Sequence, residues 1–152
     1  MRRGTVPLAA DFNVQGLWWR SPAGSESGWG VNFVQQADIL FVTWFTYGAD
    51  GSGMWLVMSD ARRSAPNTYA GAIYRTTGPA FNAVPFSPSA VTVTQVGTGT
   101  LAFTDGNNGT FTYNVNGVSQ SKPITRQVFA NPVSICTLAP AAATQETAGY
   151  PP

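Results

Sequence analysis

Apolar and polar residues alternate in short runs along most of this chain, and turn-forming residues separate the runs. Because successive side chains of a strand point to opposite faces, this alternation predicts strands with one buried face. No segment shows the apolar repeat of a helix over helical length. The predicted strands cover residues 14–20, 28–36, 39–47, 53–60, 68–76, 91–104, 109–116 and 118–129.

The residues between these runs indicate that neighbouring strands pair in sequence. Asn116-Gly117 has the signature of a two-residue type I′ turn, in which both residues adopt positive φ. Residues 49–53 and 105–109 predict slightly longer hairpin loops by similar turn chemistry. Gly97 and Gly99 lie inside a predicted strand, where glycine is typical of a bulge or a sharp bend. Crossover helices for parallel strands are missing, so we predict an all-β fold, an eight-stranded antiparallel up-and-down meander closed into a barrel.

One predicted hairpin, residues 39–58, departs from the alternation because it is apolar on both faces. Leu40 and Trp44 share one face of its first strand, whereas Phe41 and Phe45 share the other. Turn residues 48–53 interrupt the run before it reaches the roughly 20 apolar residues of a membrane helix, so no membrane segment is expected. The second face of the hairpin therefore needs a cover, which is either part of this chain or another molecule.

The chain of 152 residues suits a single domain. Residues 13–129 hold the predicted barrel, and the flanking segments 1–12 and 130–152 are predicted to be extended arms, since they lack a strand pattern. Arms that lie across the 39–58 hairpin would supply its cover. Arg2-Arg3 resembles the start of an export signal, but the residues after it are too few and too broken by Pro7 to form the apolar region of one.

Charged residues make up only 10% of the chain, well below the roughly 25% of a typical soluble protein. A net charge of +1 without a basic stripe argues against nucleic acid as the main partner. Low charge also reduces self-repulsion, so a homo-oligomer or an assembly through residues 39–58 and the arms stays open. Cys136 is the single cysteine, and it is either a buried structural thiol or an intermolecular link.

The chain contains no histidine, which removes the usual metal ligand, the usual general base and every Ser-His or Cys-His nucleophile pair. Most of the carboxylates lie in predicted turns, where they hydrogen-bond to nearby backbone groups, and they show no calcium-loop spacing. We therefore expect a protein that is not an enzyme and that uses no metal or cofactor. The carboxylates are Asp11, Glu26, Asp38, Asp50, Asp60, Asp105 and Glu146.

Aromatic residues carry the remaining functional signal. A buried Trp removes roughly 150–250 Å² from water, so most of the five tryptophans are expected in the core. Trp18 and Trp19 are adjacent on one strand, so one of them has to point away from the core. If the interior holds a cavity, inward aromatics together with Tyr74 and Asn32 line a pocket for a small apolar or glycan ligand, and if it is filled, the outward set is an interface. The predicted ligand-binding residues are Trp29, Asn32, Trp44, Trp55 and Tyr74.

Gly16-Leu17-Trp18 on the first strand, together with Arg126 on the last, resembles the structural signature of the calycins, the superfamily of lipocalins, fatty-acid-binding proteins and avidins. The resemblance implies that the arginine lies across the tryptophan at the closed end of the barrel. Such a contact gains roughly 0.5 to 2 kcal/mol, and the guanidinium donors can also hold loop carbonyls.

Segments along nearly the whole chain also resemble an exported bacterial β-module that has no assigned activity. The resemblance implies an extracellular or periplasmic location and carries over no catalytic residues. Two hypotheses follow: a secreted, non-enzymatic module that binds a small apolar or glycan ligand through Trp and Tyr, or a structural module that self-assembles through its apolar outer face and its arms. The matching segments are residues 16–19, 27–32, 43–47, 54–58, 74–81 and 124–129.

Overall fold

The structure of the protein, a computed structural model, describes residues 13–132. Antiparallel strands close into a barrel in which each strand pairs with the next and β1 pairs with β8. The predicted all-β barrel is therefore confirmed. The strands are β1 Gly16–Arg20, β2 Gly30–Gln36, β3 Ile39–Tyr47, β4 Gly53–Ala65, β5 Thr68–Thr77, β6 Thr92–Phe103, β7 Asn108–Val115 and β8 Val118–Arg126.

Both predicted arms lie largely or wholly outside the described residues, as does Cys136, so their predicted roles stay predictions. The loop between β5 and β6 contains one turn of 3₁₀ helix, Pro88–Ala90. No helix in the described part of the chain has the length and apolar character that crossing a membrane requires.

The largest boundary error concerns β4, which ends at Ala65 rather than at the predicted residue 60. Asp60, the last residue of the predicted strand, lies on the outer face of β4 and forms an ion pair with Arg62 at 2.9 Å. Ala61 points inward between them and is fully buried. Register shifts between β4 and its neighbours interrupt the simple alternation here, which hid the strand from the sequence pattern.

The turn and bulge predictions are confirmed. Asn116 and Gly117 have φ values of 49° and 83°, as a type I′ turn requires. In the β5–β6 ladder Ile73 pairs with Gly97 and Tyr74 with Gln95, so one β6 residue is unmatched. A Cβ at Gly97 would lie only 1.8 Å from the Asn114 carbonyl oxygen, so the bend depends on glycine.

Inward side chains fill the barrel with two aromatic clusters. In the half that contains the start of β1, Trp18 packs with Phe33 and Phe103 at ring-centroid distances of 5.2 to 5.6 Å. In the other half, Trp44 packs with Phe111 and Tyr113 at 4.4 to 5.3 Å. Buried Leu, Val, Ile and Met side chains belong to the same core as the two clusters. The interior is thus a packed core.

The barrel end beside the Trp18 cluster is closed by the contact between Trp18 and Arg126 that the Gly-X-Trp pattern predicts. The Arg126 guanidinium lies 5.1 Å from the centroid of the Trp18 ring. It donates hydrogen bonds to the carbonyl oxygens of Asn13, Gln15 and Gly106. Trp18 Nε1 donates to the Val14 carbonyl at 2.8 Å. One arginine therefore ties the segment before β1 and the loop before β7 to the barrel end.

Candidate functional site

The hairpin of β3 and β4 is apolar on both faces, as predicted. The inward residues Leu40 and Val42 are completely buried. On the outer face, Phe45, Tyr47 and Trp55 remain 51%, 53% and 48% exposed, so the described residues leave about half of each uncovered. The outer side of this hairpin is the feature that the fold alone leaves unexplained.

These residues belong to a row of aromatic side chains that crosses four strands. Trp19 on β1 pairs with Gly30 on β2, Gly30 pairs with Phe45 on β3, and Phe45 pairs with Trp55 on β4. Tyr47 lies two residues further along β3 on the same face. We call Trp19, Phe45, Tyr47 and Trp55 the outer aromatic face. Leu17, Val34 and Phe41 are further exposed apolar residues on the same side of the barrel. The outward Asn32 and Thr43 lie between Phe45 and the cross-strand pair of Val34 and Phe41.

A groove of about 330 Å³ opens beside this row. We call it the Gly30 groove, because glycine leaves a gap between Trp19 and Phe45 where any other residue would place a side chain. A second hollow of about 350 Å³ lies farther along the same side of the barrel, against Val34 and Phe41. The lining of the Gly30 groove includes Leu17, Trp19, Glu26, Ser27, Gly28, Gly30, Phe45 and Gln127.

The loop between β1 and β2 forms one wall of the groove and is fixed to β3. Tyr47 packs directly on Gly28, where a Cβ would lie 1.7 Å from the Tyr47 hydroxyl oxygen. The hydroxyl donates to the Ser27 carbonyl at 3.3 Å. Gly28 also has a φ of 86°, which favours glycine. The tyrosine ring is therefore held in place at the end of the outer aromatic face.

The same loop carries a charged cluster that seals the second end of the barrel. Glu26 accepts from Arg20 at 2.9 Å and from Lys122 at 2.5 Å. The Lys122 ammonium also lies 5.3 Å from the centroid of the Trp29 ring, and this buried tryptophan covers the core. Sequence reasoning missed the cluster because Glu26 was interpreted as a turn residue. Strand parity was the available signal: Arg20 shares the inward face of Trp18, and Lys122 that of Ile124.

The turn interpretation is confirmed for two other carboxylates. Asp50 accepts from the Ser52 hydroxyl at 2.6 Å and from the Ser52 amide at 3.0 Å, and these bonds lower its pKa. Asp105 accepts from the Asn107 amide at 2.7 Å, which likewise lowers its pKa. Within residues 13–132, no group of three or more carboxylate or cysteine side chains lies close enough to hold a metal ion.

The structure divides the predicted ligand-binding residues between two sides of the barrel wall. Trp29 and Trp44 point inward, with ring centroids 6.0 Å apart. Trp55, Asn32 and Tyr74 point outward, and the last two belong to one row across β2 to β5. A single interior pocket that includes Asn32 and Tyr74 is therefore wrong, because those positions have the opposite parity to the core.

Three residues of the outer aromatic face, Trp19, Phe45 and Tyr47, were absent from that predicted set. The sequence did contain a signal for the first of them. Once the Gly-X-Trp pattern turns Trp18 toward Arg126, its neighbour Trp19 has to face outward. Gly30 gave no such signal, since its meaning depends on the two strands that flank it.

No family model, curated protein or solved structure matches this chain. Both resemblances therefore stay predictions, and the function has to be argued from the geometry of the outer face.

Proposed function

We propose that this protein is a secreted, non-enzymatic binding module that holds a small apolar or glycan ligand on its outer aromatic face. One contrast within the barrel carries the proposal. Two successive outer rows of β6, β7 and β8 consist of polar residues, Thr98 with Asn114 and Ser119, and Thr100 with Thr112 and Ser121. The outer row of β1, β3 and β4 consists of Trp19, Phe45 and Trp55.

This contrast matters because the fold does not require aromatic residues on its outside. The polar rows pair in the same antiparallel ladder and complete the same barrel. Large aromatic side chains in water are unfavourable by about 25 cal/mol for each Å² left exposed. Contiguous apolar patches beyond a few hundred Å² are uncommon on monomers and mark binding surfaces. The aromatic row is best explained by what it binds.

The barrel interior is a poorer candidate for the site. Its rings already pack at centroid distances of 4.4 to 6.4 Å, with Trp29 over one end and Arg126 across the other. A ligand would have to displace these side chains and lose their packing, which typically is worth 3–5 kcal/mol for one large aromatic residue. The outer face requires no such displacement.

Site-specific tryptophan signals test this proposal. The ¹⁵N-labelled full chain is titrated with cellotetraose, chitotetraose and 8-anilinonaphthalene-1-sulfonate while its indole N–H resonances are followed. We expect the Trp55 and Trp19 resonances to shift, and Trp55→Ala and Phe45→Ala to weaken binding. Phe81→Ala is the matched control, since Phe81 is fully exposed in the β5–β6 loop, outside this face. Shifts confined to Trp18, Trp29 and Trp44 would refute an outer site.

Self-assembly is a second candidate function, and one observation favours it. Exposed apolar residues also lie outside the aromatic row, at Leu17, Val34 and Phe41, so this side of the barrel offers more apolar contacts than a small ligand needs. A stable dimer buries about 800 Å² per partner, so it would use these residues as well as the aromatic row. Light scattering of the full chain across concentrations separates the two functions: a dimer that Phe41→Ser abolishes supports assembly, and a monomer throughout removes it.

A further inference from the structure

We infer that the Gly30 groove is a subsite for one neutral pyranose ring, held between Trp19 and Phe45. The inference rests on the proposed function and deepens it by naming the ligand class and the position of the sugar. It is argued from the width of the groove, the choice of glycine at its floor and the uncharged polar groups around it.

The width of the groove suits a saturated ring. Trp19 and Phe45 are separated by one strand, and adjacent strands lie about 4.8 Å apart, so their Cα atoms are about 10 Å apart. A flat ring in carbon contact with both walls would take up only about 7–8 Å. A puckered ring with its axial hydrogens is thicker and fills the remainder. The C–H groups of such a ring are the part of a sugar that packs on the electron-rich face of an aromatic side chain.

The fold constrains the glycine at position 30 less than the one at position 28. A Cβ there would have the Trp18 carbonyl oxygen as its nearest neighbour, at 3.2 Å, which calls for a shift of only a few tenths of an ångström. Gly30 also has no positive φ, so its backbone conformation does not call for glycine. Gly28, by contrast, excludes a Cβ through its contact with Tyr47. The glycine at position 30 therefore keeps the floor open, so that a ligand can approach the backbone closely.

The open groove also argues against a purely structural use of this glycine. Aromatic side chains on neighbouring strands often close over a glycine and shield its backbone, which stabilises the sheet without any ligand. Trp19 and Phe45 instead leave about 330 Å³ between and beside them. That volume lies at the lower limit of ligand sites, which span roughly 300–1,000 Å³, and suits one sugar residue of a longer glycan.

The polar groups around the groove fit hydroxyls rather than ionic groups. Ser27 and Gln127 line it and can each donate and accept, and neither side chain bonds to another described residue. The backbone N–H of Gln127 donates to the Leu17 carbonyl at 2.8 Å, and this bond fixes the backbone that carries the Gln127 side chain. The charge of Glu26 is matched by Arg20 and Lys122. A sugar can use these neutral groups, whereas a purely apolar ligand would leave them unpaired.

Two glycine variants give the sharpest test. Gly30→Ala narrows the groove at its floor, and Gly53→Ala is the matched control, because a Cβ at Gly53 has no neighbouring atom within 4 Å. With cellotetraose and chitotetraose as probes, we expect at least one to shift the Trp19 indole and Gly30 amide resonances. Gly30→Ala should weaken that binding about tenfold or more, as removal of a well-fitted contact does. Gly53→Ala should leave it unchanged.

The outcomes separate this inference from the proposal beneath it. If a sugar shifts Trp55 but not Trp19, and Gly30→Ala binds normally, the subsite is wrong while the outer aromatic face remains the binding surface. If only 8-anilinonaphthalene-1-sulfonate binds there, the sugar assignment is wrong. If neither outer tryptophan responds to any probe, both are wrong. Should Gly30→Ala fail to fold, Gln127→Ala replaces it, and undiminished sugar binding by that variant overturns the subsite.

Discussion

Replacing Glu26 with Gln tests how the second end of the barrel is held shut. The substitution keeps the size of the side chain and removes the charge shared by Arg20 and Lys122. The Lys122 side chain is only 15% exposed and that of Glu26 is 30% exposed, so water compensates poorly for the lost anion. The variant would leave two cations close together with no counter-ion between them.

The size of the effect follows from these exposures. Exposed ion pairs contribute about 0–1 kcal/mol, whereas removing one partner of a buried pair costs about 3–5 kcal/mol. The Glu26 cluster lies between these limits, and the Arg20 side chain is more than a third exposed, at 37%. We therefore expect Glu26→Gln to lower the free energy of unfolding by about 1–3 kcal/mol.

Urea unfolding measures this difference. The midpoint should fall while the dependence on urea concentration stays constant, since the folded and unfolded states remain equally compact. Asp60→Asn is the matched control. The side chains of Asp60 and Arg62 are 50% and 69% exposed, so their ion pair should contribute less than about 0.5 kcal/mol. Equal effects of the two substitutions, or a Glu26→Gln change below about 0.5 kcal/mol, would refute the reasoning.

Three further predictions concern the core and the closed end. Gly99→Ala should destabilise the fold by about 1–3 kcal/mol, because its Cβ would lie 2.9 Å from the Phe111 ring and 3.1 Å from Met58 Sδ; calorimetry against Gly53→Ala checks this. Arg126→Ala should remove about 2–4 kcal/mol through lost carbonyl hydrogen bonds and the Trp18 contact, measured by urea unfolding, and Arg126→Lys should restore only part of it. Burial raises the pKa of Tyr69 and of Tyr113, and the nearby Glu26 charge adds to the latter. The stability that these two groups contribute is fully present below about pH 10 and is lost as the pH rises through their folded-state pKa values. The free energy of unfolding, measured in urea at alkaline pH, should therefore depend less steeply on pH in the double variant Tyr69→Phe/Tyr113→Phe than in the unsubstituted protein.

The barrel was predictable because its determinants are local. Alternation with a period of two identified the strands, and Asn116-Gly117 specified its turn through the positive φ of both residues. The closed end also followed from few residues, since Trp18 and Arg126 identified each other across the first and last strands. In each case the physical reason is contained in short segments or in one known pairing.

The set of side chains that face the barrel interior was harder to predict, because a shift of one residue along a strand exchanges its inward and outward faces. Strands with apolar residues at both parities, such as β3, give no preference for either choice. The bulge and register shifts in β4 also break the alternation where Ala61 turns inward. Asn32 and Tyr74 were consequently assigned to an interior pocket when they face outward.

The Glu26 cluster was missed for a different reason, which is its separation along the chain. Glu26 and Lys122 are 96 residues apart, and only the closure of β8 against β1 brings their elements together. The Gly30 groove is similar, since its walls come from β1 and β3 while its floor comes from β2. Sites of this kind depend on topology, so a single segment of sequence cannot reveal them.

The loop between β1 and β2 connects the two features of greatest interest. It ends at Trp29, which covers the core, while Ser27 and Gly28 form a wall of the Gly30 groove. Glu26 holds this loop from one side and Tyr47 holds it from the other. A groove wall fixed in this way loses little conformational entropy when a ligand binds, which favours affinity. The packed interior and the ion cluster therefore bear on the proposed function: by holding the barrel end together, they keep the loop in the position that the proposed outer binding site needs.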